Sequence, residues 1–163
     1  MESKAKLFGH PAHTILVVFP LGLLATSVVF DIAGELLGKP ELVASGFWMA
    51  SAGCITGLVA AIPGLIDYLA IPGGTRAKKI GLLHGVGNVV VLSLFAGSVA
   101  LRGTAPHSVS RLSTVLSLTG VALAMVTGWL GGELVDRLGV GVDDNANLNA
   151  PNSLTHGRIV SKI

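Results

Sequence analysis

The chain has 163 residues, of which 51 % are hydrophobic and only 12 % charged, with a mean hydropathy of +0.74 and a formal net charge of +2. Soluble domains carry about 25 % charged residues, so an ordinary soluble fold is excluded. So small a net charge also gives no reason to expect a nucleic-acid partner.

Residues 1–9 read as a short polar lead, and His10-Pro11 as a turn into the first apolar run, His13–Leu37. Lysines before an apolar stretch resemble a signal peptide. Asp31 and Glu35, however, stand where a cleavage site would fall, so the run is read as a retained helix. Pro20 lies inside it, as a kink that membrane helices tolerate. Gly38-Lys39-Pro40 is a stop signal. The second run, Leu42–Ile71, carries the lone Cys54 in its middle, where a thiol is a packing group. Pro72-Gly73-Gly74 is a turn, and Thr75–Lys79 a basic lead into the third run, Ile80–Leu101. Arg102–Ser110 reads as a loop, and Leu112–Asp136 is the fourth run.

Each run reaches the ~20 residues needed to cross a ~30 Å hydrocarbon core. The expected fold is therefore all-α: one integral membrane four-helix bundle, up-down-up-down, over residues 1–142. The Asn/Asp-rich residues 143–163 form an exposed polar tail. With 22 glycines, close helix packing is expected, with Gly53/Gly57, Gly81/Gly85 and Gly128/Gly132 as small-residue seams.

An even number of crossings gathers the start of helix 1, the end of helix 2, the start of helix 3 and the end of helix 4 on one membrane face. His10, His13, Asp67, Tyr68, His84, Asn88, Glu133 and Asp136 lie at those ends. Ionisable groups at membrane depth are costly, so their convergence marks a candidate site. The same face carries Lys4, Lys6, Arg76, Lys78, Lys79, Arg137, Arg158 and Lys162, against Lys39, Arg102 and Arg111 opposite. The positive-inside rule then puts both termini in the cytoplasm, in a bacterial inner membrane.

His13 and His84 open helices 1 and 3, which face each other diagonally. Two histidines at similar depth suit axial ligation of one haem b, with His10 as alternate ligand, Arg76 among the basic groups for the propionates, and Asn88 one turn beyond His84. The same region offers His13, His84, Asp67 and Glu133 as metal ligands, although no H-x-x-x-H or E-x-x-H pair sits within one helix. The bland alternative is that both histidines simply bond a carbonyl or a carboxylate. Asp67 similarly could accept from Arg76 or His84 to tie down the 2–3 turn. Tyr68 and Trp129 read as interfacial belt aromatics. No catalytic group is assigned, and the apolar middle of the bundle argues against a transport path.

Several strings together resemble an uncharacterised bacterial membrane family, number two-two-three-one in the domain-of-unknown-function series. They are Gly9-His10-Pro11-Ala12-His13, Phe19-Pro20-Leu21-Gly22, Phe30-Asp31, Gly64-Leu65-Ile66-Asp67-Tyr68, Ile71-Pro72 with Gly74-Thr75-Arg76-Ala77, His84 with Asn88, Gly128-Trp129 with Gly131-Gly132 and Leu134-Val135, and Gly139–Val142. The resemblance implies a four-helix membrane domain without established activity. Fusions to Rieske iron–sulfur domains among its members imply an accessory or anchor subunit in electron transfer, beside a redox partner in the bilayer. It singles out His10, His13, Asp67, His84 and Asn88. This chain has Val18 where members often carry a further histidine. The competing readings are a cofactor-free structural or assembly subunit and a small metal or solute transporter.

Overall fold

The computed structural model describes residues 1–154; the expectations for Arg158, Lys162 and the end of the tail fall outside them. Among the described residues four spans are long and apolar enough to cross a membrane: Ala12–Leu37, Pro40–Ala70, Arg76–Arg102 and Arg111–Arg137. Span 1 is divided into α1 (Ala12–Leu16) and α2 (Val18–Leu37). Spans 2 and 3 are the single helices α3 (Pro40–Ala70) and α4 (Arg76–Arg102). Span 4 is α5 (Arg111–Gly132), continued by a wider π turn over Glu133–Arg137.

The boundaries follow local chemistry. The break at Val17 lies just upstream of Pro20, whose ring has no N–H to offer and crowds the carbonyl of Leu16 four residues back. Pro40 is the first residue of α3, where a proline's missing N–H costs nothing. The stop signal read at 38–40 is thus a two-residue connection, with Gly38 in the left-handed region at φ 62°. Thr75 caps α4 by accepting from the Lys78 N–H, so Arg76–Lys79 are already helical. Arg102, read as a loop residue, is the last residue of α4.

Span 1 packs along α3 and α4 along α5, with α3 joining the two pairs and a shorter contact between α2 and α5. This is the up-down-up-down bundle the apolar runs predict. Its centre holds Leu24, Val28, Ala50, Val91 and Phe95. Glycines admit this packing: a Cβ on Gly53 would strike Leu24, on Gly57 Leu92, and on Gly120 the Phe95 ring. Gly81 packs on Tyr68 and Ile71, whereas Gly85, Gly128 and Gly132 have nothing within 4 Å. The expected 128/132 seam is therefore an open face. Spacing reveals the pair, and only packing decides which side meets a neighbour.

The lead, for which the sequence suggested no element, holds one, and His10-Pro11, read as a turn, is a strand. Lys6–Leu7 and His10–Pro11 form an antiparallel hairpin, β1–β2, with Lys6 opposite Pro11 and Leu7 opposite His10. Its two-residue turn, Phe8-Gly9, has φ of 50° and 81°. A bulky side chain in that region costs about 1–3 kcal/mol. The Ala12 N–H bonds the Ala5 carbonyl at 2.8 Å, fixing the hairpin to the start of α1. The Met1 amine donates to the Gly139 carbonyl, and the Gly141 N–H to the Met1 carbonyl, each at 2.9 Å. The tail residues 143–154 are exposed. They are shaped by Asx turns, in which Asp143, Asn147 and Asn152 side chains accept from backbone N–H groups two residues on. Ser153 returns to the hairpin, its hydroxyl 3.1 Å from His10 Nε2. Lys6, paired with Glu2 at 2.8 Å, is raised above the ordinary lysine range, chiefly by that hydrogen bond.

Candidate functional site

The expected gathering of polar residues at one end of the bundle is present, but its internal wiring differs. His13 sits in the first turn of span 1. Its Nδ1 lies 2.8 Å from the Ala60 carbonyl of α3. A carbonyl only accepts, so Nδ1 carries the proton. Gly64, one turn on from Ala60, leaves room for the ring, since a Cβ there would stand 2.8 Å from Nδ1. His84 in α4 repeats the device against α5. Its Nδ1 is 2.8 Å from the Thr127 carbonyl, and a Cβ on Gly131 would stand 3.1 Å from Cε1.

The proton on Nδ1 leaves His84 Nε2 as an acceptor, and the Asn88 amide supplies the donor at 3.1 Å. Asn88 Oδ1 in turn accepts from the Thr127 hydroxyl at 2.9 Å. The expected cross-helix bond of Asn88 is therefore made, and His84, Asn88 and Thr127 form a closed network between α4 and α5. The two imidazoles meet across the bundle diagonal with ring centroids 6.2 Å apart at 86°, an edge-to-face contact. Asn88→Ala removes both side-chain bonds of this network. We expect a loss of about 0.6–1.7 kcal/mol, the range for hydrogen bonds between membrane helices, measurable by reversible unfolding in mixed micelles.

Asp67 does not reach Arg76 or His84, the partners the sequence suggested. It accepts from the Ser3 hydroxyl at 2.9 and 2.8 Å, the Lys4 N–H at 2.7 Å and the Ala5 N–H at 3.2 Å. A carboxylate at the end of one span thus clamps a segment more than sixty residues away in the chain. Arg76 instead pairs with Glu133 at 2.6 Å. Lys78 donates to the Tyr68 carbonyl at 2.8 Å and stands 4.1 Å over the Tyr68 ring. Tyr68 is half-buried beneath it, and Trp129 is exposed. His10 lies on the hairpin against Ser153. Asp136 is exposed.

Among the described residues no group of three or more His, Cys, Asp or Glu side chains comes together to hold a metal ion. Thus His13, His84, Asp67 and Glu133 do not converge. The groups expected to hold a haem bond to other partners here. His84 Nε2, the nitrogen that would face an iron, is held by the Asn88 amide at 3.1 Å, and the two rings stand edge to face at 86°. The Arg76 guanidinium meant for a propionate is spent on Glu133.

Among the described residues the most deeply buried charges lie at the opposite end, where the sequence assigned none to a site. Asp31 of α2 and Arg102 of α4 are each 5 % exposed. Arg102 Nη1 reaches Asp31 Oδ1 at 2.9 Å and Oδ2 at 3.0 Å, while Nη2 donates to the carbonyls of Val43 at 2.5 Å and Pro106 at 2.8 Å. One guanidinium thereby joins α2, α3 and the α4–α5 loop. Gly46 is required beside it, because a Cβ there would collide with Asp31 Oδ1. A turn away, the hydroxyls of Ser98 and Ser113 lie 2.7 Å apart, tying α4 to α5. The sequence signal was one acid and one base each near the far end of an apolar span. Read along a single chain, the same residues pass for interfacial charges.

Neither a curated protein nor a solved structure matches the chain. A family model described as predicted membrane protein does match, over residues 9–144, which takes in all four spans, the histidine pair and the buried ion pair. The chain belongs to that family, DUF2231.

Proposed function

We propose that this protein is a membrane anchor or assembly subunit, with no chemistry of its own. It would hold an ordered polar plate, built from the hairpin, the Gly139–Gly141 turn and the tail, at one membrane face for another protein to dock on. The observation that supports this reading is the way the polar groups are spent. His84, Asp67, Arg76, Glu133, Asp31 and Arg102 all bond within the chain. Between the two polar ends the packed centre is an apolar cluster with no acidic or basic side chain in it, which argues against a path for an ion or a proton. The excess of Lys and Arg on the plate side supports a cytoplasmic plate in a bacterial inner membrane.

A second reading, a haem-bearing subunit of an electron-transfer system with a redox partner, draws on one observation. Both histidines donate Nδ1–H to a backbone carbonyl, the usual orientation of a metal-bound imidazole. It would require Asn88 to release His84 Nε2 and the two rings to turn from their edge-to-face setting. The two readings separate on the visible spectrum of protein purified in detergent after expression with ample haem. The anchor reading expects no Soret band, oxidised or dithionite-reduced, and no stoichiometric metal. A Soret band with a sharpened α band on reduction, lost in His84→Ala, would overturn it.

A further inference from the structure

The turn of the β1–β2 hairpin is poorly suited to its own residues. Two-residue hairpin turns with positive φ at both positions favour Asn-Gly or Asp-Gly. Here the first position is Phe8 at φ 50°. The Ser153 hydroxyl donates to the Phe8 carbonyl at 3.4 Å, but no described residue covers the ring itself: Phe8 is 75 % exposed, and the adjoining Leu7 is 42 % exposed. Asn at this position would fold the same turn with less strain, so the ring's contribution must come from outside the described chain.

The surroundings indicate what it meets. Ala12, the first residue of span 1, follows Phe8 by four residues and is bonded back to Ala5 at 2.8 Å. At ~3.3 Å per extended residue the tip stays within about 13 Å of the start of the span. The interfacial layer on each side of the hydrocarbon core is ~5–8 Å deep. Lys4, Lys79 and Arg137 are exposed on the same side of the bundle and have no ion-pair partner among the described residues. Aromatic and aliphatic side chains beside free cations match an anionic leaflet, where cations gain from the negative surface potential and rings settle at headgroup level.

We propose that the hairpin is a leaflet-binding element. Phe8 and Leu7 insert among the headgroups of the adjoining leaflet, and Lys4 and Lys79 engage anionic phospholipid. The hairpin then fixes the height and tilt of the polar plate against the membrane, whichever protein the plate serves.

The test places the only tryptophan at the tip: Phe8→Trp in the full chain, with Trp48→Phe and Trp129→Phe, reconstituted into vesicles of phosphatidylglycerol and phosphatidylcholine with or without bromine at shallow acyl positions. We expect brominated lipid to reduce the emission at least twofold and acrylamide to have little effect. Lys4→Gln with Lys79→Gln should abolish the excess quenching seen in anionic over neutral vesicles. Emission quenched by acrylamide and untouched by bromolipid would overturn the proposal and leave the tip to a protein partner. Equal quenching in neutral and anionic vesicles, unchanged by the lysine substitutions, would overturn the anionic headgroup contact. Phe8→Asn in detergent, where no leaflet exists, is expected to unfold no more readily than the parent. A lowered midpoint would show that the ring packs within the chain and would also overturn the proposal.

Discussion

Asp31→Ala is expected to be the most damaging single substitution outside the apolar core, lowering stability by about 3–5 kcal/mol. The loss exceeds that of a surface ion pair because Arg102 stays behind, 5 % exposed, with its charge buried and uncompensated. The two carbonyls it also binds, Val43 and Pro106, cannot neutralise it. The complementary expectation is that the pair as a whole is dispensable. Removing both charges together in Asp31→Leu with Arg102→Met should recover most of the loss, since desolvation of two ions offsets much of their attraction. Unfolding midpoints of the two single variants and the double variant, compared as a cycle, measure this directly. A double variant as unstable as either single one would mean that the pair is needed for more than mutual neutralisation, as a determinant of how α2, α3 and α4 align.

The second large effect is local. Asp67→Ala should free residues 1–11 from the bundle end while leaving the spans in place. The carboxylate gathers three donors, the Ser3 hydroxyl and the N–H groups of Lys4 and Ala5. Hydrogen bonds to a charged group are worth roughly 1.5–3 kcal/mol, so the equilibrium for opening this segment should shift by about 10- to 150-fold. Amide exchange at Lys4, Ala5 and Ala12 should accelerate by that factor, and a protease should cut near Lys4 or Lys6, with the helical circular dichroism unchanged. Global loss of helix in Asp67→Ala would show instead that the clamp is needed to assemble span 1 on span 2.

The architecture was legible from the sequence because lipid imposes it. Apolar runs of spanning length must be helices, since no water is present to satisfy open backbone groups. Short loops then leave few ways to arrange four of them. The same parity argument placed His13 and His84 at one level on diagonal spans, and the rings do meet. The hairpin was not legible: its turn is Phe8-Gly9 rather than Asn-Gly, and two-residue strands carry no periodicity. Nor were the partners of Asp67, because a clamp spanning more than sixty residues leaves no trace in local spacing.

By itself the sequence determined the membrane setting, the number and order of spans and the end of the bundle at which the histidines gather, because hydrophobicity and length act residue by residue. Only the tertiary structure decided how each polar group is used. It directed His84 to Asn88 and Thr127, Asp67 to the hairpin stem, and Asp31 to Arg102 at the end where no site had been assigned. The physical reason is that a buried donor or charge must find its complement within about 3 Å. Which complement lies that close depends on helix rotation and on glycines such as Gly46, Gly64 and Gly131, whose effect appears only when two helices meet.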